Sequence, residues 1–324
     1  MDKMNIYETE GITQRTMALL AKVSPAAVSR FISNNKIRHI DNGTQRNCRY
    51  SIDDSRKVIS SLSKFPKSVK HKIQAFYNFK GGTGKTSLCY QVASHVALMG
   101  YKVLAIDADP QAHLSTSLGF SNENSYLTLY DSLTGKMPIQ NLIHTVYPGL
   151  DCIPSGLALS RLESELNHLA KREERLKIEI AKIQDNYDFI FIDTNPTISF
   201  INRNVETVSD ILNIVCETQP YSLNGLRMLM EDLDQFFAQM QIKNKSIFIV
   251  PNKYEDRTAS SGEAMSALRQ FYSEFTKENF AVRKSEDIVI SSKLSKPLAF
   301  FAKKNSIALY DIIELVHYII TFSV

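Results

Sequence analysis

Residues 80–87 read Lys80-Gly81-Gly82-Thr83-Gly84-Lys85-Thr86-Ser87. Closely spaced glycines let backbone N–H groups wrap an anion, and the ending Gly-Lys-Thr fits a P-loop. Lys85 then reaches the β- and γ-phosphates of a nucleotide, and the Thr86 hydroxyl binds Mg2+. An apolar run, 73–79, precedes the loop, and a helical stretch follows it. That places the phosphates at a helix N-terminus, where the partial positive charge favours them.

Acids stand at the ends of two other apolar runs. Asp107-Ala108-Asp109-Pro110-Gln111 follows one, and Asp193 closes Asp-Phe-Ile-Phe-Ile-Asp at 188–193. A lone strand-end Asp is usually a cap or turn residue. Together with a P-loop, one such acid is expected to order Mg2+ and another to orient water. Thr86, Asp107 and Asp193 are the candidate metal ligands.

The elements that must hold these groups are short and regular. Apolar runs rich in Val, Ile and Phe recur at 73–79, 102–107, 150–154, 188–193, 211–217 and 246–252. Continuous apolar runs suit strands buried on both faces of a parallel sheet. Between 158 and 184, Leu159, Leu162, Leu166, Leu169, Leu176, Ile180 and Ile183 recur at helical spacings, which predicts one amphipathic helix. Alternating strands and helices predict a doubly wound, mostly parallel α/β sheet with its ligands at the strand C-termini.

Residues 1–72 differ in texture. They carry 14 Lys and Arg against 6 Asp and Glu, whereas residues 73–324 carry 24 against 28. A basic head on a mildly acidic body suggests that the head meets a polyanion. Ser24 can cap a helix with Pro25 at its first position, after a helix over about 13–20 and a turn at 21–24. Met17, Leu20, Val23, Val28, Phe31 and Ile32 would pack these two helices together. Ala26, Ala27, Ser29 and Arg30 would face outward, as at the start of a DNA-reading helix. A hairpin turning at Asn42-Gly43 follows, decorated by Arg38, His39, Arg46 and Arg49, and then a helix over 52–62. Helix–turn–helix plus basic hairpin resembles a winged helix of the MerR-like type. We therefore expect a small N-terminal helical DNA-binding domain and linker at 1–72 and an ATPase domain at 73–324.

The extra Lys80 ahead of the glycines resembles the deviant Walker-A motif of the ParA/MinD family of P-loop ATPases. Asp107-Ala108-Asp109-Pro110-Gln111 resembles that family's second motif, and 187–196 its Walker B. The stretches 218–226 and 282–298 resemble its later conserved segments. The resemblance covers about 73–320. It implies that Lys80 touches the nucleotide of a dimer partner, that Asp109 positions the attacking water, and that Asn252 hydrogen-bonds adenine. It also implies non-specific DNA binding by an ATP-bound homodimer, through Arg257, Arg283 and Lys296. Hydrolysis is then weak and is stimulated by a ParB-like centromere-binding protein, while the head binds a specific operator as a repressor. Asn195 and Ser295 depart from the family's usual Pro and Gly.

Other readings compete. A MinD-like positioner needs a basic amphipathic C-terminal helix, and 308–324 carries no Lys or Arg. An iron–sulfur ATPase needs paired cluster ligands, and Cys48, Cys89, Cys152 and Cys216 show no such spacing. A transcription factor with a sensory ATPase overlaps with the partition reading. The polar N-terminus, the thiol pattern and the lack of an apolar run of roughly 20 residues predict a cytoplasmic protein with no membrane contact, and the family resemblance implies that it is nucleoid-associated.

Overall fold

The computed structural model describes Tyr7 and residues 10–40, 48–121, 124–167, 169–243 and 245–324. Head strands β1 (Ile12–Thr13) and β2 (Arg49–Tyr50) form an antiparallel pair. The body sheet contains β3 (Lys72–Tyr77), β4 (Val103–Ala108), β5 (His144–Tyr147), β6 (Leu150–Ile153), β7 (Phe189–Thr194), β8 (Ile211–Glu217) and β9 (Ser246–Asn252). Its order is β5-β6-β4-β7-β3-β8-β9, and every pairing is parallel except β5 with β6. All six apolar runs are strands. The edge strand β5, with His144 and Thr145 outside the core, lacked their continuous apolar character.

Helices that position the rest include α1 (Gln14–Ala21), α2 (Pro25–Asn34), α3 (Ile52–Leu62), α4 (Lys85–Leu98), α5 (His113–Ser117), α6 (Phe200–Val208), α7 (Pro220–Gln239), α8 (Ala259–Phe271), α9 (Glu286–Leu294) and α10 (Ile307–Phe322). α10 buries Leu309, Ile312, Leu315, Val316, Ile319 and Ile320, so the C-terminal segment is core. No helix among the described residues is long and apolar enough to cross a membrane. Cys89, Cys152 and Cys216 are buried and Cys48 half-buried.

The long helix expected over 158–184 is instead broken into Leu162–Leu166 and Arg175–Ile180, flanked by turns. Lys171 adopts a left-handed φ of 54°. The Asn204 amide enters the break, accepting from Leu176 N–H at 2.9 Å and donating to the Arg172 carbonyl at 2.6 Å. Leu159, Leu162, Leu166, Leu176, Ile180 and Ile183 are still buried. Their spacing reports the buried face, which a bent segment presents as well as a straight helix does.

In the head, α1 starts at its Thr13 cap, and the Ser24 hydroxyl accepts from Ala27 N–H at 3.2 Å to start α2. Met17, Leu20, Val28 and Ile32 are buried, while Ala26, Ser29 and Arg30 are exposed. Ile40 bridges Arg49 antiparallel, and the expected turn at Asn42-Gly43 lies outside the described residues.

The head is not a separate bead on a linker. Its Ile12, Met17, Leu20, Val28 and Ile59 share one hydrophobic cluster with Phe300, Ile312 and Val316 of the body. Arg56 on α3 donates to the carbonyls of Ala97, Gly100 and Tyr101, capping the C-terminus of α4 with a cation where the helix dipole favours one. Arg15 reaches the Tyr310 hydroxyl at 2.6 Å, and the Leu20 carbonyl meets His317 at 2.9 Å.

Candidate nucleotide site

Strand β3, inside the sheet between β7 and β8, runs into the Gly-rich loop, and α4 leaves it. Gly82 and Gly84 adopt φ of 74° and 98°, which L side chains resist. A Cβ on Gly84 would also collide with the Asn252 amide. The general P-loop pattern opens with a glycine five residues before Gly84. Phe79 stands there, so the fit rests on Gly81, Gly82 and Gly84.

The parallel register brings the acids together. Asp107 on β4 pairs with Asp193 on β7, and Phe76 of β3 pairs with Asp193 from the other side. Asp193 is fully buried, and neither carboxylate oxygen makes a regular hydrogen bond. Burial, and then Asp107, push its carboxyl well above the usual range; Thr86 and Lys85 only partly offset this. A buried acid without a regular hydrogen bond, beside a P-loop threonine, fits a cation site. Asp107 differs. One oxygen accepts from Ser115 N–H at 2.8 Å and Ser115 Oγ at 2.6 Å, the other from Asp109 N–H at 3.1 Å. Burial still lifts it to about 6. With both oxygens occupied by chain donors, it holds the 109–115 turn.

Asp109 is nearly buried, and one oxygen accepts from Gln111 N–H at 2.9 Å. Lys85 is buried, and its ammonium donates to the Lys80 carbonyl at 3.2 Å. Burial lowers its pKa, against the pull of Asp193 and Asp109. Thr83 is buried, and Thr86 and Ser87 are half-buried at the start of α4. Asn252 donates to the Thr83 carbonyl at 2.7 Å. Its neighbour Lys253, which sequence reasoning missed, donates to the Gly82 carbonyl at 2.6 Å.

The two departures have compensations. Asn195 accepts from Thr197 N–H, Thr197 Oγ at 2.6 Å and Asn202 Nδ2 at 3.0 Å, so a side-chain turn organises the loop after β7. Ser295 sits at a left-handed φ of 50°, which accounts for glycine being usual there, and its hydroxyl donates to the Thr116 carbonyl at 3.0 Å.

The expected DNA-contacting residues are scattered in state. Arg30, Arg38 and Arg257 are exposed, and Arg46 lies outside the described residues. Arg49, read as a phosphate contact, is instead bonded to the carbonyls of Gly11 and Phe300. Its guanidinium ties the head to the body, because the fold sets the Phe300 carbonyl of the body against it. Arg283 is likewise committed: Nε and Nη2 fork onto the buried Asp311 at 2.9 and 2.5 Å. Lys296 pairs with Glu10 at 2.5 Å.

A mostly parallel sheet whose interior strand feeds a Gly-rich loop and helix, with acids on the neighbouring strand ends, defines the P-loop NTPase class. The family model described as an AAA domain matches residues 71–249. The cell division protein PomZ of Myxococcus xanthus is 34% identical over 227 residues, covering 70% of this chain and 71% of that protein. The chromosome partitioning protein ParA of Caulobacter vibrioides is 31% identical, covering 62% and 76%. The fold is also that of a Cyanothece McdA variant solved as its ATP complex, with TM-score 0.68, 20% identity, and coverage of 77% of this chain and 97% of that one. The chain belongs to the ParA-type partition ATPase family.

Proposed function

We propose that this protein is a DNA-partition ATPase that binds ATP with Mg2+ at the loop 80–87. In this reading it dimerises across the nucleotide and binds DNA while ATP is held. Hydrolysis is stimulated by a ParB-like centromere-binding partner. The observation that carries the nucleotide reading is the buried Asp193 carboxylate, without a regular donor, against Thr86 and Lys85. Lys85 and the loop N–H groups hold the phosphates. Thr86 and Asp193 hold the cation, Asp193 through water, and Asp107 braces the turn that carries Asp109. Mg2+ supplies charge neutralisation on the phosphates. Asp109 orients the attacking water, and Lys80 reaches the partner's nucleotide. Asn252 is placed to leave Thr83 for adenine.

Cation binding draws on an acid whose protonated form is favoured by burial, which sets a sign for pH. A carboxyl raised above its unfolded value near 3.8 favours the fold while protonated. That contribution is complete at acid pH and is lost as pH rises through the folded value, about 6 for Asp107. Bound Mg2+ stabilises the ionised form of Asp193. Mg-nucleotide binding therefore releases protons and tightens as pH rises through the raised Asp193 value. Calorimetry in buffers of different ionisation enthalpy measures the release, and a buffer-independent heat contradicts it.

The exposed Arg257 makes it the expected body contact to DNA, and the head presents α2 with Arg30, plus Arg38, to an operator. With Arg283 held by Asp311, the two arginines should separate. Arg257→Glu weakens ATP-dependent binding of random-sequence DNA and lowers the salt slope by about 0.9 for the lost phosphate contact. Arg283→Glu instead lowers the melting temperature, because it leaves Asp311 buried and unpaired. The decisive experiment titrates the full chain onto random DNA with ATP, ADP or no nucleotide, alongside ATP turnover. Binding and turnover that need ATP support partition. Operator binding with no ATP-dependent affinity for random DNA favours a transcription factor.

A further inference from the structure

The carboxylate of Glu217 is an odd neighbour for a phosphate loop. It closes β8, one strand from the loop-bearing β3, and pairs in register with Asn252 of β9. A fixed negative charge there opposes an incoming polyphosphate. Its partners explain its presence. Lys80 Nζ donates to Glu217 Oε2 at 3.0 Å and to Ser222 Oγ, in the first turn of α7, at 3.1 Å. Lys253 Nζ lies 3.5 Å from Glu217 Oε1 while donating to the Gly82 carbonyl. One carboxylate thus holds two lysines, each beside the loop. Glu217 is mostly shielded from solvent, and the Lys80 side chain is 43% exposed, so the lysine is fastened at its tip with an open path outward.

We infer that Glu217 and Ser222 form a latch that holds Lys80 within its own subunit and sets the ATP concentration at which the dimer assembles. This rests on the proposal that Lys80 reaches the partner's nucleotide. Seated on Glu217 and Ser222 inside its own subunit, the Lys80 ammonium has to leave both acceptors to reach a phosphate across an interface. Assembly therefore includes breaking the Lys80–Glu217 pair, and the partner's polyphosphate must outcompete a single carboxylate. Glu217 is a positioning residue: it touches no reacting atom and acts through Lys80. Lys253 keeps the carboxylate ionised and aimed, so the latch resets when nucleotide leaves.

Glu217→Gln keeps the shape of the side chain and removes its charge. It should lower the ATP concentration for half-maximal dimerisation, read by sedimentation with Mg2+, by roughly fivefold, the scale of a partly exposed ion pair. Ser222→Ala should act in the same direction with a smaller shift. Adding Lys80→Ala should erase the gain, whereas adding Lys253→Met should keep it. A general loss of packing would raise the ATP requirement and lower the melting temperature, so a leftward shift separates the latch from a structural role. A wild type that dimerises through Lys80, together with a Glu217→Gln protein that needs as much ATP or more, overturns the latch and leaves the partition reading intact. A wild type that stays monomeric at every ATP concentration, or a Lys80→Ala protein that dimerises like wild type, overturns both.

Discussion

Asp109→Ala should reduce ATP turnover by a factor of about 100 or more while ATP still binds. Its backbone lies at the end of β4, in the turn held by Asp107 and Ser115. Asp107 accepts Asp109's N–H, a contact that the alanine retains, so the turn stays in place. The substitution removes only a carboxylate whose single bond within the turn is to Gln111 N–H at 2.9 Å. No phosphate-holding group is touched. Lys85→Ala provides the contrast: it deletes the buried ammonium at the loop's centre and should abolish ATP binding itself. Equilibrium binding of a fluorescent ATP analogue and phosphate release distinguish the two. Wild-type turnover by Asp109→Ala would reassign the water-orienting group, and loss of binding would make Asp109 part of the cradle.

Arg203→Met should cost about 3–5 kcal/mol of stability, the usual consequence of leaving buried charges without their partner. Arg203 on α6 forks onto Asp232 of α7 at 2.9 and 2.8 Å and reaches Glu206 Oε2 at 2.8 Å. Its guanidinium also lies 4.4 Å from the Phe236 ring centre. Glu206 is fully buried and accepts the Tyr77 hydroxyl from the last residue of β3. Burial raises the Glu206 carboxyl, with Tyr77 and Arg203 opposing it. Removing the arginine strands one carboxylate inside and another at its edge, directly under the strand that carries the phosphate loop. The melting temperature should fall by about 4–7 °C. The triple change Arg203→Met, Glu206→Gln, Asp232→Asn should recover most of it, since no unpaired charge is then left. A single variant that melts within 2 °C of wild type would show that water reaches these acids.

Much of this molecule was legible in one dimension because its signals are local. Backbone curvature at a phosphate loop needs glycines at set spacings. Strands buried on both faces need continuous apolar runs, and all six such runs became strands. Ser24 and Pro25 specify the start of α2 through contacts within one turn. The break in 158–184 was not legible, because its cause is Asn204, a side chain some thirty residues away that supplies the missing backbone partners. Nor was the fate of the arginines. Arg49, Arg56 and Arg283 look like any solvated or phosphate-seeking cations until the fold sets carbonyls or Asp311 against them. The texture of the head suggested a separate basic domain, and the three-dimensional structure makes it part of the body's core. Sequence spacing states which groups can do chemistry. Whether a charge is available for it depends on long-range neighbours, as with Glu217 and Lys80, 137 positions apart in the chain and 3.0 Å apart in space.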